Sequence, residues 1–168
     1  MSRFYYPIFL FLAVVLSSSC SSPAPFTRGQ YALVRESVQI MATEIAADVS
    51  QNGPLAWLKH FEDTSDFFMA SDGHLMFPDY NSASAFINHV LVKMISKIEL
   101  RWSDIRIDPL SPDLAMFGAN YTEVLMDSAG KKMPISGPGY FTALAEKTPK
   151  GWQLRNAHWS SQAGGQGQ

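Results

Sequence analysis

The chain has a single cysteine, Cys20, so its 168 residues cannot form an intrachain disulfide. It also lacks a basic stripe, because its 13 Lys and Arg residues, against 15 Asp and Glu, are scattered apart from the pair Lys131-Lys132. Nucleic-acid binding needs clustered positive charge, so we exclude this class of partner. The four histidines lack the His-x-His or His-x-x-x-His spacing of metal ligands. We therefore expect neither a metal nor another cofactor.

An apolar run near the N-terminus has the layout of an export signal: Arg3, apolar residues 4–16, then small residues up to Cys20. It is too short to span a bilayer. The small residues before the cysteine resemble a bacterial lipoprotein signal, which implies cleavage of residues 1–19 and acylation of Cys20 on the periplasmic side of a membrane. Residues 20–25 would then be the lipidated cysteine and a proline-stiffened tether. An ordinary secretory signal with an incidental cysteine is the alternative.

Residues 26–161 are of one-domain size and begin with helical patterns, whereas residues 162–168 lack apolar content and should be disordered. Thr27 and Gln30 form a capping box that starts the first helix. Its apolar stripe at steps of three and four comprises Tyr31, Val34, Val38, Met41, Ile45 and Val49. A short helix from Pro54, a small hairpin and a third helix from Asn81 follow, the third with a broad apolar face that includes Val90 and Met94.

After residue 98 the period of the apolar residues changes to two, which predicts strands. A break in the alternation near Ser103-Asp104 predicts a bulge. The expected long strands are residues 114–126, 133–146 and 152–160. Helices followed by hairpin-linked strands predict an α+β fold, with the helices on one face of a curved antiparallel sheet and a cavity inside the resulting cone.

The order of these elements resembles the nuclear transport factor 2-like superfamily, in its SnoaL-like and ketosteroid isomerase-like branch. The resemblance is carried by His60-Phe61-Glu62-Asp63, Asp66-Phe67-Phe68, Trp102-Ser103-Asp104-Ile105, Gly139-Tyr140-Phe141-Thr142 and, above all, the string from Gly151 to Ser160. It implies a cone-shaped domain whose last strand turns a polar or histidine side chain into the cavity. Fold resemblance alone does not define a function, because this superfamily holds both enzymes and binding modules.

Two strands carry the candidate site residues. Period two puts Asn156 and His158 on the same face of the last strand, and the resemblance directs that face into the cone. His158 would then be an acid or base and Asn156 a ligand contact, unless the histidine only packs in the wall. On the central strand, Tyr121 and Glu123 share a face. A carboxylate in an apolar cavity would have a raised pKa and could act as a base, whereas a Glu123 at a sheet edge would only be solvated.

The aromatic and methionine content, with 11 Phe, 4 Trp, 6 Tyr and 8 Met, favours an apolar pocket, although the same residues would also fill a core. We expect Phe67 and Phe86 in its lining, and Tyr140 either as a hydroxyl donor at the ligand or as a residue of the core or rim. The further lining residues we expect are Phe61, Met69, Val90 and Met94.

Three hypotheses follow. The first is a membrane-anchored domain that binds a small, partly apolar molecule. The second is a metal-free isomerase- or cyclase-type enzyme with His158 as its acid or base. The third is a protein-interaction module that forms a homodimer through the open face of its sheet, as the resemblance implies.

Overall fold

The computed structural model describes residues 26–135 and 137–161; the predicted leader, Cys20, the tether and the C-terminal tail lie outside them. The helical elements are α1 (Arg28–Asn52), a 3₁₀ turn (Pro54–Ala56), α2 (Trp57–His60), α3 (Tyr80–Phe86), a π-helical turn (Ile87–Leu91) and α4 (Val92–Met94). The strands are β1 (Phe68–Ser71), β2 (His74–Phe77), β3 (Lys97–Ser111), β4 (Leu114–Met126), β5 (Gly137–Thr148) and β6 (Gly151–Ser161).

Helix α1 begins as its sequence predicts, and its predicted apolar stripe is buried except for Tyr31, which is half-buried. Thr27 Oγ1 accepts from the Gln30 backbone N–H at 3.2 Å, and Gln30 Oε1 accepts from the Thr27 N–H at 2.9 Å, which is the predicted capping box. Its buried face consists of Val34, Val38, Met41, Ala42, Ile45 and Val49. The indole N–H of Trp102 on β3 donates to the Ala42 carbonyl at 2.9 Å, so side-chain packing and a hydrogen bond both hold α1 on the sheet.

The six strands form one sheet in the order β2-β1-β6-β5-β4-β3. Neighbouring strands are antiparallel, except that β1 runs parallel to β6. The expectation of a purely antiparallel sheet is therefore wrong for this pair. Strands β1 and β6 lie far apart in the sequence and are not joined by a hairpin, so no tight turn fixes their relative direction.

The predicted bulge on β3 is confirmed. The pairing of β3 with β4 shifts between Ser103 and Arg106, and Asp104 has a left-handed φ of 49°. The Asp104 carboxylate accepts from Asn120 Nδ2 at 2.7 Å, which ties the bulge to β4. A bulge bends its strand and increases the local twist, so the sheet curls toward α1.

The third helical segment differs from its prediction. Val90 and Met94 are 40% and 46% exposed, whereas Ile87 and Ile95 are buried. The π-helical turn, which includes Val90, changes the residue spacing of a regular α-helix, so Val90 and Met94 turn outward while Ile87, Leu91 and Ile95 stay on one face toward the core.

The core lies between the helices and the concave face of the sheet. Its largest fully buried side chains are Phe67, Phe117, Phe141, Ile45, Ile98, Leu154, Val38 and Val49. Helices on one face of a curved sheet make an α+β cone, as predicted. Core side chains fill the cone on the α1 side, and a cavity remains at the end where β3 begins and β4 ends.

Candidate functional site

An apolar cavity of about 200 Å³ opens between the concave face of the sheet and the segment from α3 to β3. Its described lining residues are Trp57, Phe61, Met69, Ser71, Met76, Phe77, Phe86, Ile87, Leu91, Ile95, Ile98, Glu123, Leu125, Ile135 and Trp159. Among these, Ser71 and Glu123 are the only residues with hydroxyl or carboxyl groups, and Glu123 is the only charged one. The cavity is thus an apolar chamber with one ionisable group.

Glu123 reaches the cavity because strand β4 alternates regularly. Ala115, Phe117, Ala119 and Tyr121 are buried on the concave side, and Glu123 continues this series two residues further on. Burial raises the pKa of its carboxyl group from 4.5 to about 7. Within residues 26–135 and 137–161, the carboxyl group has neither a hydrogen-bond partner nor an ion-pair partner. At neutral pH its protonated and ionised forms are therefore both populated, and neither form has a partner among the described residues.

Tyr121 lies beneath the cavity rather than in its lining. Its ring packs edge-on against Trp159, with the centroids 5.4 Å apart, and it is 5% exposed. Burial, and secondarily the charge of Glu123, raises its pKa to about 12. The hydroxyl group lies over Gly139 on β5, where a Cβ atom would collide with it. Tyr121 is consequently a neutral packing residue next to Glu123, and it lines a second, surface pocket beside Gly139 and Tyr140.

The structure contradicts the predicted direction of His158 and Asn156. The register of β5 against β6 shifts so that Leu144 pairs with Asn156 but Ala145 pairs with Leu154, which makes Arg155 an extra residue in β6. A one-residue shift reverses which face every later side chain occupies. Trp159 therefore points into the cavity, and His158 and Asn156 lie on the outer face of the sheet, beside Phe68 and Met116.

Arg155 explains why the strand bulges here. Its guanidinium donates to the Glu146 carboxylate at 2.8 Å and to the Asp66 carboxylate at 2.6 Å. The bulge thus presents a cation to one carboxylate on the neighbouring strand β5 and to another just before β1. The sequence alone does not show this bulge, because both carboxylates that bind Arg155 come from other segments of the chain.

The remaining predicted site residues fall into two groups. Phe86, with Phe61 and Met69, does line the cavity. Phe67 is fully buried core and Tyr140 lies on the outer face, where its hydroxyl covers Gly118 and the side chain is 41% exposed. Neither Phe67 nor Tyr140 is therefore in the described lining of the cone cavity. Leu91 and Ile95 line it in place of the expected Val90 and Met94.

A second polar cluster, which the sequence did not reveal, joins α2 to α1. His60 is 4% exposed, and its Nε2 lies 2.9 Å from Asp48 Oδ2. The Asp48 carboxylate also accepts from Asn52 Nδ2 at 2.6 Å and from Lys59 Nζ at 3.1 Å. Burial lowers the pKa of His60, and the hydrogen bond with Asp48 opposes this shift. The hydrogen bond with Asn52 does most to lower the pKa of Asp48.

This cluster borders an open, mixed-polarity cleft of about 610 Å³ on the other side of α2 from the cavity wall. Only the four-residue spacing of Asp48 and Asn52 was visible in the sequence. The contact of His60 with Asp48 depends on how α2 folds back on α1, and no local sequence pattern predicts that arrangement.

In the portion of the chain that the structure covers, no three His, Cys, Asp or Glu side chains are placed to hold a metal ion together. None of the helices in that same portion is long and apolar enough to cross a membrane.

The fold is that of the nuclear transport factor 2-like proteins. A protein of that superfamily from Salmonella enterica superimposes with a TM-score of 0.65 at 14% identity, covering 82% of this chain and 99% of the other. A protein of unknown function with the same fold from Shewanella oneidensis gives 0.58 at 19% identity, covering 76% and 99%. A hexachlorocyclohexane dehydrochlorinase (LinA, type 2) gives 0.59 at 14% identity, covering 82% and 95%.

No protein-family model matches the sequence. No curated protein sequence matches it either. At these identities the structural likeness establishes the fold alone.

Proposed function

We propose that this protein binds a small, largely apolar molecule in the cone cavity, with a polar group of the ligand placed at Glu123. The observation that carries the proposal is a chamber of about 200 Å³ with apolar walls and one unpaired carboxyl group. Concave apolar chambers with a few convergent polar groups are the usual form of small-molecule sites. The solved structures with a similar fold include an enzyme and a protein of unknown function, so the fold is compatible with ligand binding and with catalysis.

Binding is tested with a neutral apolar fluorophore, N-phenyl-1-naphthylamine, whose emission rises in apolar surroundings. Ser71→Phe places a ring in the cavity and should abolish the rise. Thr122→Phe is the matched control, because Thr122 is exposed on the same sheet and does not line the cavity. If the wild type gives no rise, or if Ser71→Phe and Thr122→Phe behave alike, the cavity is not a binding site.

The second candidate function is acid–base catalysis by Glu123, which its pKa of about 7 favours. Isomerase- or cyclase-type chemistry needs a group that takes a proton from carbon and returns it, and a desolvated carboxylate can do this. The Kemp elimination of 5-nitrobenzisoxazole is a suitable probe, since it reports an activated base in an apolar site. Glu123→Gln should remove the activity and His158→Gln should not, and equal activity in the wild type and Glu123→Gln would exclude this function.

The location of the protein is a separate proposal, supported by the sequence of residues 1–25 alone. We infer that Cys20 is acylated and anchors the domain to the periplasmic face of a membrane, since several acyl chains hold a protein where one does not. Cys20→Ser should then move the protein from the membrane to the soluble fraction. A mature N-terminus without lipid, found by mass spectrometry, would exclude the anchor.

A homodimer through the outer face of the sheet remains the third proposal. Phe68, Met116 and Tyr140 are each 40 to 42% exposed on this face, so it offers apolar surface that a second copy could bury. Met116→Glu should shift a dimer to a monomer in sedimentation experiments. A wild type that sediments as a monomer at all concentrations would exclude this partner.

A further inference from the structure

The cavity wall is unusually rich in aromatic rings. The described lining includes Trp57, Phe61, Phe77, Phe86 and Trp159. The rings pack on each other: the centroids of Trp57 and Phe61 are 5.6 Å apart, those of Trp57 and Trp159 5.1 Å, and those of Phe77 and Phe86 5.3 Å. Mutual packing fixes the ring positions, so the ligand meets a preorganised aromatic wall.

The single carboxyl group in this wall has no counter-charge. Arg, Lys and His are absent from the described lining of the cavity, and Glu123 makes no ion pair with any residue that the structure describes. A buried carboxylate without a partner is costly, and the cost falls if it gains a proton or a cation. The aromatic faces carry negative electrostatic potential and attract the same kind of partner.

We propose that the cavity selects a small organic cation of the substituted-ammonium class, with its charge beside Glu123 and its alkyl or aryl groups against the aromatic wall. This inference rests on the proposed binding function and names its ligand class. A quaternary or tertiary ammonium group carries its charge within an apolar shell. Its charge would pair with the Glu123 carboxylate while its alkyl or aryl groups contact the aromatic rings.

Other classes of ligand fit the wall less well. An anion would meet a carboxylate and the negative faces of the rings, without a basic residue in the described lining to offset them. A metal ion needs several oxygen or nitrogen ligands, and the described lining offers only the Glu123 carboxyl and the Ser71 hydroxyl. A neutral apolar molecule fills the space but leaves the carboxyl group unpaired.

The test compares two molecules of nearly the same shape, phenyltrimethylammonium and tert-butylbenzene, which differ in a charged nitrogen against a carbon. Their affinities are measured by displacement of N-phenyl-1-naphthylamine from the protein. At pH 8 the cation should bind at least ten-fold more tightly than its neutral isostere. Glu123→Gln keeps the side-chain volume and should abolish this preference. The control Glu36→Gln removes a charge from an exposed position on α1, outside the cavity lining, and should preserve it.

The pH dependence gives a second readout, because phenyltrimethylammonium has no proton to lose. The ionised fraction of a carboxyl group with a pKa of about 7 rises about ten-fold between pH 6 and pH 8, and the affinity for the cation should rise by a similar factor. The other described lining residues are not titratable, and Tyr121, next to Glu123 on the same face of β4, stays protonated at these pH values. The affinity for tert-butylbenzene should stay constant or fall.

The outcomes separate the inference from the function on which it rests. If both molecules displace the fluorophore with equal affinity at pH 8, or if Glu123→Gln retains the preference for the cation, the ligand class is wrong although the cavity binds. If neither molecule binds and the fluorophore itself does not bind, the proposed function is wrong as well.

Discussion

Replacing Glu123 by Gln should make the protein more stable at neutral and alkaline pH, and the size of this gain follows from the carboxyl group's surroundings. Burial raises its pKa from 4.5 to about 7. Each pKa unit corresponds to about 1.36 kcal/mol, so ionising the buried group costs the folded state about 3 kcal/mol relative to the unfolded state. Gln has nearly the same shape and no charge, and it escapes this cost.

The sign of the pH dependence is fixed by the direction of the shift. Between about pH 4.5 and pH 7 the folded protein holds the proton of Glu123 and the unfolded chain does not. The contribution of protonated Glu123 to the free energy of unfolding is therefore complete below pH 4.5 and is lost as the pH rises through 7. The difference in the free energy of unfolding, Glu123→Gln minus wild type, should grow by about 3 kcal/mol over this range and then level off.

Urea denaturation of both proteins at several pH values from 4.5 to 8.5 measures this difference, since effects of other groups cancel in the subtraction. Glu36→Gln serves as the control, because Glu36 is exposed and has no ion pair or hydrogen bond to the described residues; its difference from the wild type should stay flat. A flat difference for Glu123→Gln as well would refute the reasoning. So would a Glu123 carboxyl signal that titrates near pH 4.5 by NMR.

Three further predictions concern the fold. Val38→Asp puts an unpaired charge at a position that is 0% exposed and should cost more than about 3 kcal/mol, and an unchanged melting temperature would mean that α1 does not pack on the sheet. Gly139→Ala should lose about 1–3 kcal/mol, because the new methyl collides with the backbone carbonyl oxygen of Ser160 and with the Tyr121 side chain, and a neutral effect would show that this close approach does not exist. Burial lowers the pKa of His60 below 6.5, so the contribution of neutral His60 to the free energy of unfolding is complete above that pH and is lost as the pH falls. His60→Gln should therefore reduce the loss of stability in acid, measured by denaturation between pH 7 and pH 4. The loss of stability that remains in this variant should come from Asp48, whose pKa is also lowered.

Much of the fold could be predicted because its signals are local. The capping box at Thr27 and Gln30 involves residues three apart, and strand β4 has the predicted bounds, Leu114–Met126, because its alternation is unbroken. The bulge at Ser103 was predicted because the alternation of apolar residues breaks visibly there. The same unbroken alternation put Glu123 on the face of β4 that carries Tyr121, and the structure turns that face to the concave side.

The errors arise where the structure depends on long-range partners. The residues of the last strand are compatible with pairing to β5 with or without the register shift at Arg155. Only the ion pairs of Arg155 with Glu146 and Asp66 explain the extra residue. Period two put Asn156 and His158 on one face and the resemblance directed that face into the cavity, although Trp159 occupies it. The parallel pairing of β1 with β6 and the contact of His60 with Asp48 could not be predicted, because no local sequence pattern indicates either of them.

The contrast between the two buried titratable groups indicates which of them belongs to a site. His60 is enclosed, but a carboxylate lies 2.9 Å from its Nε2 and the surrounding hydrogen bonds hold that carboxylate, so the cluster is explained by its role in joining α2 to α1. Ionised Glu123 should weaken the fold by about 3 kcal/mol, and it receives no hydrogen bond from the described residues in return. Proteins tolerate such local conflicts with stability mainly at functional positions, where the missing partner comes from outside the chain. The unpaired carboxyl group in the aromatic cavity, rather than the buried histidine, is therefore the position at which we propose that a ligand binds.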